Sequence, residues 1–218
     1  MEKIALGIID VQSGFMPAAE GERLGVAGFG ELPVTDGEQI VSPVNQLIAA
    51  FAVSKDAAIF TTQDWHPAVT AHFSETPDFA TNWPVHCVAG TPGAELHPDI
   101  VVPATATRIV KGFEALKNGA DDTSYSGYFG VTEGILTLPE WLGDRGISKV
   151  VLGGLALDYC VGKTALDIRN RMGIAVQVAF DATRSISDES EAAMLHDFQN
   201  AGVEIIDSRS VIEELAKA

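Results

Sequence analysis

Short apolar segments rich in valine and isoleucine recur along the chain. They span residues 4–10, 57–63, 107–112, 149–156, 174–181 and 203–207. Their apolarity is continuous rather than alternating, which indicates strands that are covered on both faces. The pattern therefore predicts a mainly parallel central sheet of about six strands.

Segments with helical periodicity separate most of these strands. They span residues 38–54, 134–146, 161–173 and 187–202. In the last segment, Ser187 with Ser190 and Glu191 predicts a capped start, and Gly202 predicts the end. Strands that alternate with helices imply right-handed crossovers and a parallel sheet. We therefore predict an α/β fold with a three-layer α/β/α arrangement, in a single domain over residues 1–218.

Two longer stretches, residues 17–37 and 64–103, fit neither pattern. The first is rich in glycine, and the second holds six prolines and four of the five histidines of the chain. Long irregular loops in a compact domain are usually functional or disordered. We therefore look for functional residues in and beside these stretches.

The charge balance bears on the partners of the protein. The net charge is −16, from 30 acidic and 14 basic residues, and such a surplus repels phosphate backbones and anionic membrane surfaces. We expect neither nucleic acid nor a membrane as a partner. The two cysteines, Cys87 and Cys160, are too few for a disulfide framework. Asp10 interrupts the first apolar segment and no segment has membrane-spanning length, so we expect a soluble cytoplasmic protein.

Four residues with useful chemistry fall at the carboxyl ends of predicted strands. Asp10, Asp64 and Lys111 end the first three strands, and Cys160 follows the fourth. In open parallel sheets these ends meet at one edge, where ligands bind. Aspartate is common at strand ends because it starts turns, so Lys111 and Cys160 are the more informative members of the cluster.

Cys160 admits two interpretations. A free cysteine is usually a buried, inert packing residue, and we interpret Cys87 in this way. Cys160, however, lies at the start of the predicted helix 161–173, where the helix dipole favours a thiolate and backbone amides can hold an oxyanion. With Lys111 as a nearby cation and Asp10 as a base, we favour a nucleophilic cysteine.

The second irregular stretch predicts a metal site. Asp64 and His66 are two residues apart at a strand end, so their side chains can lie on the same side of the chain. His72 and His86 add two imidazoles, and the set suits Zn²⁺ or Fe²⁺ with an open coordination position. A single histidine in a loop is more often an ordinary surface residue, so the hypothesis rests on the set.

Five motifs carry a resemblance to a known family. In chain order they are IIDVQSGF, TTQDWHP, WPVHCVAGTPGAELHP, VKG followed by DDTSYSGYFG, and LGGLALDYCVGKTALD. Together they resemble the nicotinamidases of the isochorismatase-like cysteine hydrolase superfamily, over nearly the whole chain. The resemblance implies the isochorismatase-like hydrolase fold. It also implies a metal-dependent amidohydrolase that converts nicotinamide to nicotinate and ammonia through a thioester intermediate, in NAD salvage.

The resemblance also assigns catalytic roles. It implies a triad of Asp10, Lys111 and Cys160. The backbone amides of Ala156, Leu157 and Cys160 would form the oxyanion hole, with a cis peptide bond before Leu157. The resemblance leaves a homo-oligomer open.

For the ligands, the resemblance implies a divalent metal, zinc in the first place and iron or manganese as alternatives. The ligands would be Asp64, His66 and His86, with His72 at the position that supplies a further ligand in some members. The small-molecule substrate, nicotinamide, would lie between Phe15 and Trp83, with the nitrogen of its pyridine ring facing the metal.

The chain departs from the family pattern at three positions. Ser13 and Gly14 stand where the family commonly has Asn and Asp, and Leu157 stands where it has Thr. These changes leave two alternatives open. One is a related cysteine hydrolase that acts on another small amide or ureido compound, and the other is a non-catalytic small-molecule binding module of the same fold.

Overall fold

In the computed structural model, which describes residues 3–113, 123–133 and 136–217, one seven-stranded sheet forms the centre of the protein. The strands are β1 (Ile4–Ile9), β2 (Ala57–Asp64), β3 (Thr107–Lys111), β4 (Val131–Thr132), β5 (Lys149–Leu155), β6 (Ala175–Arg184) and β7 (Glu204–Ile206). Their order is β4-β3-β2-β1-β5-β6-β7. Neighbouring strands are parallel, except that β4 pairs antiparallel with β3.

Helices cover both faces of this sheet. Within the described residues they are α1 (Ala18–Leu24), α2 (Val41–Val53), α3 (Leu138–Asp144), α4 (Gly162–Met172), α5 (Asp188–Ala201) and α6 (Ser208–Leu215). Leu6 and Ile8 of β1 join the hydrophobic cluster that contains α2 and α6. Ala5 and Ile9 join the opposite cluster, which contains α3, α4 and α5. This alternation explains the continuous apolarity of β1, and it confirms the three-layer α/β/α prediction.

The sequence underestimated the number of elements. The sheet has seven strands rather than about six because β4 contains only two residues, too few to form a recognisable apolar run. Helix α1 lies within residues 17–37, which we expected to be irregular, and α6 follows β7, where we predicted no helix. Both are short, with seven and eight residues, so their periodicity is weak.

The helix boundaries agree with the sequence in part. Ser187 accepts a hydrogen bond from the Ser190 amide at the start of α5, and Gly202 ends that helix in a left-handed conformation, as predicted. Helix α3 begins at Leu138, later than the predicted residue 134, which lies outside the described residues. The single domain over residues 1–218 stays a prediction. No helix within residues 3–113, 123–133 and 136–217 is long and apolar enough to cross a bilayer.

A bulge at the end of β5 directs the chain into the candidate site. The pairing of β5 with β6 shifts register between Leu152 and Gly154, and Gly154 has a φ of 132°. A Cβ atom at this position would overlap the carbonyl oxygen of Ile9, so only glycine fits. The peptide bond between Leu155 and Ala156 is cis; the cis bond implied before Leu157 was therefore placed one residue too late.

Candidate active site and metal centre

The register of the parallel strands brings the predicted triad together. Asp10 follows β1, Lys111 ends β3, and Cys160 lies in a π-helical turn, Leu157–Val161, that leads into α4. The Lys111 Nζ lies 2.8 Å from Asp10 Oδ2 and 3.3 Å from Cys160 Sγ. Three residues that are far apart in the sequence thus meet at the carboxyl edge of the sheet. This is the edge at which the ends of the predicted strands located them.

Lys111 is the charge centre of this group. Its side chain is 2% exposed, and its ammonium also donates to Asp64 Oδ1 at 2.5 Å and to the Ser124 carbonyl at 3.3 Å. Burial opposes the charged form, but the attraction of Asp10 and Asp64 prevails and raises the pKa of Lys111 well above its usual value. The lysine is therefore a permanent cation between two carboxylates.

Asp10 and Cys160 both contact the Lys111 ammonium. Burial raises the pKa of the Asp10 carboxyl despite the nearby Lys111, and the Thr62 hydroxyl donates to Asp10 Oδ1 at 2.6 Å. Burial also raises the pKa of the Cys160 thiol well above its usual value, outweighing the attraction of Lys111. This shift favours the neutral thiol of Cys160, although the helix start had suggested a thiolate, so any reaction at this sulfur requires a base.

Three buried imidazoles lie beside the triad. Potential ligand atoms of His66, His72 and His86 all lie within 4.8 Å of one another. The rings of His66 and His72 are stacked with centroids 4.8 Å apart, and the ring of His86 lies edge-on to His66 at 4.9 Å. Asp64 Oδ2 is 3.6 Å from His66 Nε2. The predicted ligand set is thus assembled in one place.

The hydrogen bonds of these histidines suit metal binding. His66 Nδ1 lies 2.7 Å from the Gly112 carbonyl, and His86 Nδ1 lies 2.7 Å from the Pro84 carbonyl, so each Nδ1 donates. Each Nε2 is then the ring nitrogen left for a ligand, and the buried His66 Nε2 has no hydrogen-bond partner in the described part of the chain. Burial lowers the pKa of His86 to about 4, so its ring is neutral. Neutral imidazoles whose other nitrogen donates to a carbonyl are the usual metal ligands.

Asp64 is held both by its side chain, which pairs with Lys111, and by its backbone, which binds Gln12. Burial alone would raise the pKa of its carboxyl, but Lys111 together with His66 and His86 outweighs burial and holds the pKa far below its usual range. Gln12 accepts a hydrogen bond from the Asp64 amide at 2.8 Å and donates to the Asp64 carbonyl at 2.9 Å. Sequence reasoning missed Gln12 and Thr62. The parallel pairing of β1 with β2 places Thr62 opposite Ile9, the residue before Asp10. This pairing is the signal that would have indicated Thr62.

A cavity of about 420 Å³ opens in front of Cys160. Phe15 and Trp83 both line it, as predicted for the residues that contact the ring. The Trp83 indole donates to the Tyr125 hydroxyl at 2.8 Å, and its ring lies edge-on to Tyr159 at 5.2 Å. The two tyrosines also line the cavity, and sequence reasoning missed both.

The residues predicted for the oxyanion hole divide between the cavity and the core. Ala156 and Cys160 line the cavity, whereas the Leu157 side chain is fully buried in the hydrophobic cluster that contains Ile9.

The other two departures from the family pattern are Ser13, which is buried, and Gly14, which packs against Cys87 and Glu31. The departures from the family pattern therefore lie behind the cavity wall.

The fold and the site together define a class: three-layer α/β proteins that hold a thiol, an ammonium and a carboxylate beside a candidate metal centre. The isochorismatase domain model matches residues 5–210 of the chain. The chain belongs to the isochorismatase family, which confirms the resemblance that its motifs carry.

Named relatives cover almost the full length. The nicotinamidase/pyrazinamidase of Mycobacterium tuberculosis is 37% identical over 93% of this chain and 97% of its own. A solved pyrazinamidase from Pyrococcus horikoshii in complex with zinc has a TM-score of 0.75 and 35% identity over 94% of this chain and 99% of that chain. A nicotinamidase structure from Acinetobacter baumanii has a TM-score of 0.78 and 32% identity over 97% and 99%.

Proposed function

We propose that this protein is a metal-dependent cysteine amidohydrolase that converts nicotinamide to nicotinate and ammonia through a thioester intermediate. One observation carries the proposal: the Lys111 ammonium lies within hydrogen-bonding distance of both the Asp10 carboxylate and the Cys160 sulfur, and Cys160 lines a cavity. The names of the relatives from M. tuberculosis and A. baumanii support the choice of substrate.

The first half of the proposed reaction forms the thioester. Asp10 accepts the thiol proton while the Cys160 sulfur attacks the carboxamide carbon, and the carbonyl electrons move onto the oxygen. Backbone amides of Ala156, Leu157 and Cys160 hold this oxyanion. Asp10 then gives the proton to the amide nitrogen, the oxyanion re-forms the carbonyl as the C–N bond breaks, and ammonia leaves the thioester.

The second half releases the acid. Water attacks the thioester carbon while Asp10 takes its proton, the C–S bond breaks, and the sulfur regains the proton as nicotinate departs. Throughout both halves, Lys111 lies 2.8 Å from Asp10 and 3.3 Å from the sulfur. Its charge therefore stabilises whichever of the two groups is negative at a given stage.

Other residues bind and orient the substrate. Phe15 and Trp83 would contact the two faces of the ring, since both line the cavity beside the sulfur. Asp64, His66 and His86, with His72 as a further ligand, would hold a divalent metal. When bound, zinc or a similar ion supplies Lewis-acid attraction for the ring nitrogen of the substrate.

The proposal extends to the setting of the reaction. We place it in the cytoplasm, where nicotinate formation would serve NAD salvage, and with a small-molecule substrate rather than nucleic acid or a membrane as the partner. The net charge of −16 supports the exclusion of polyanions. Neither of the alternative functions gains support, because Ser13, Gly14 and the side chain of Leu157 lie away from the cavity lining.

The test is ammonia release from nicotinamide by purified protein loaded with zinc, with and without a chelator. We expect turnover in the loaded protein, a loss of turnover with the chelator, and recovery when zinc is added back. A zinc-loaded protein that releases no ammonia from nicotinamide would contradict the proposed function. Turnover that the chelator leaves unchanged would contradict the role of the metal.

A further inference from the structure

The cavity is larger than a single-ring carboxamide requires. Its volume of about 420 Å³ lies in the range of sites that bury drug-sized ligands. Most side chains that would bind or react are buried. Other lining residues lie partly or largely in solvent, and we call four apolar members of this set the outer chamber: Leu32, Pro33, Phe79 and Ile186.

The outer chamber is continuous with the part of the cavity that would bind the ring. The ring of Phe79 lies edge-on to that of Trp83, with centroids 6.1 Å apart. The Ile186 amide donates to both carboxylate oxygens of Asp158, at 3.1 and 2.9 Å, which links Ile186 to the turn that carries Tyr159, and both residues line the cavity. An apolar surface therefore extends from the ring-binding aromatics to the solvent.

Phe79 is held in an unusual conformation at this mouth. Its φ is 56°, which is uncommon for a bulky residue, and 56% of it is exposed. The Asp78 carboxylate fixes the turn by accepting the amides of Ala80, Thr81 and Asn82 at 3.0, 2.8 and 3.0 Å. Backbone strain of this kind clusters at ligand clamps. Together with Ile186, which is 44% exposed, the Phe79 ring presents apolar surface that a ligand could remove from water.

We propose that the site also accepts aromatic carboxamides that carry an apolar ring substituent, and that the outer chamber binds the substituent. This inference rests on the proposed function, because it requires the ring nitrogen towards the metal residues and the carboxamide towards Cys160. Ring carbon 5 of nicotinamide lies opposite the edge that carries both groups, so a substituent there is directed away from both. The reaction is unchanged: water cleaves the C–N bond and ammonia leaves.

The test compares nicotinamide with 5-phenylnicotinamide in the zinc-loaded enzyme, by ammonia release. We expect both to be hydrolysed, with a lower KM for the phenyl compound because its substituent buries apolar surface. Phe79→Asn removes the ring but keeps a residue that tolerates positive φ, and Ile186→Ser removes the second apolar contact. Each should raise the KM of the phenyl compound relative to that of nicotinamide by about tenfold.

Ile205→Ser is the matched control. Ile205 is 40% exposed, close to the 44% of Ile186, but it lies on β7 and is not part of the cavity lining. We expect its ratio of KM values to equal that of the wild type. If Phe79→Asn and Ile186→Ser also keep the wild-type ratio of the two KM values, the substituent does not bind in the outer chamber.

The failure of this inference and that of the proposed function give different results. Turnover of nicotinamide, without hydrolysis of 5-phenylnicotinamide, overturns the substituted substrate class and leaves the proposed function intact. Ammonia release from neither compound overturns both.

Discussion

Lys111 sets the charge balance of the site. Its ammonium is buried together with the carboxylates of Asp10 and Asp64, at 2.8 and 2.5 Å. Buried charges are tolerated only when they are paired, so removal of the one cation leaves two carboxylates in a medium that solvates them poorly. The same residue thus contributes to stability and to the proposed chemistry.

We expect Lys111→Met to destabilise the metal-free protein by about 3–5 kcal/mol, because it breaks a buried ion pair. Urea unfolding in the presence of a chelator measures this change. Lys149→Met is the control, since the Lys149 pair with Glu214 at 2.9 Å is partly exposed and should contribute less than about 1 kcal/mol. Equal losses in the two variants would contradict the charge-balance argument.

Cys160 and Cys87 allow a test within one chain. Both are free and buried, but only Cys160 lines the cavity. We expect Cys160→Ala to reduce ammonia release by at least about a thousandfold, because it removes the proposed nucleophile, and to leave the metal content intact. Cys87→Ala should retain turnover. Substantial turnover in Cys160→Ala would refute the nucleophile assignment.

At the scale of elements, the segment between α1 and α2 supports the candidate metal centre. The Glu31 carboxylate accepts the Cys87 amide at 2.8 Å, and the Cys87 carbonyl accepts the His66 amide at 3.1 Å. Gly93 makes room for this carboxylate, since a Cβ there would overlap it. Glu31 therefore fixes the peptide that directly follows His86, and it acts as a positioning residue.

We expect Glu31→Ala to weaken zinc binding by about tenfold, the usual scale for supports behind a ligand. Competition with a chromophoric chelator measures the affinity directly, without reference to turnover. Glu31→Gln keeps an oxygen acceptor for the Cys87 amide and should bind zinc almost as the wild type does. Equal affinity in all three proteins would show that the contact does not position His86.

Elements with strong patterns could be predicted, and contacts between loops could not. Asp10 and Lys111 were predictable because parallel strands fix where their carboxyl ends meet. Gln12 and Glu31 were not, because they bind backbone groups 52 and 56 residues away, a relation that leaves no local pattern. Tyr125 was missed because its contact is with Trp83, 42 residues away in the chain, which likewise leaves no local pattern.

At the scale of the whole molecule, a metal ion bound at the candidate centre would link the loop between β2 and β3 to the sheet. His66, His72 and His86 come from that loop, whereas Asp64 ends β2. A ligand that binds only the folded state stabilises it by mass action, by about 4 kcal/mol at a thousandfold excess over Kd. The candidate centre should therefore affect global stability.

We expect a chelator to lower the Tm by about 10 °C relative to protein with excess zinc. Differential scanning calorimetry measures the difference. His86→Ala should show a much smaller zinc-dependent shift, because it removes one candidate ligand. A shift of the same size in His86→Ala would exclude this residue from the ligand set.

The bulge at Gly154 has an evolutionary consequence. Any side chain there would force β5 away from Ile9, and Cys160 follows only a few residues later, so its sulfur would move away from Asp10. A saturation library at codon 154, selected for growth on nicotinamide as the sole pyridine source, should return glycine alone. Adaptation to new substrates would then proceed through the mouth of the cavity, while this turn remains invariant.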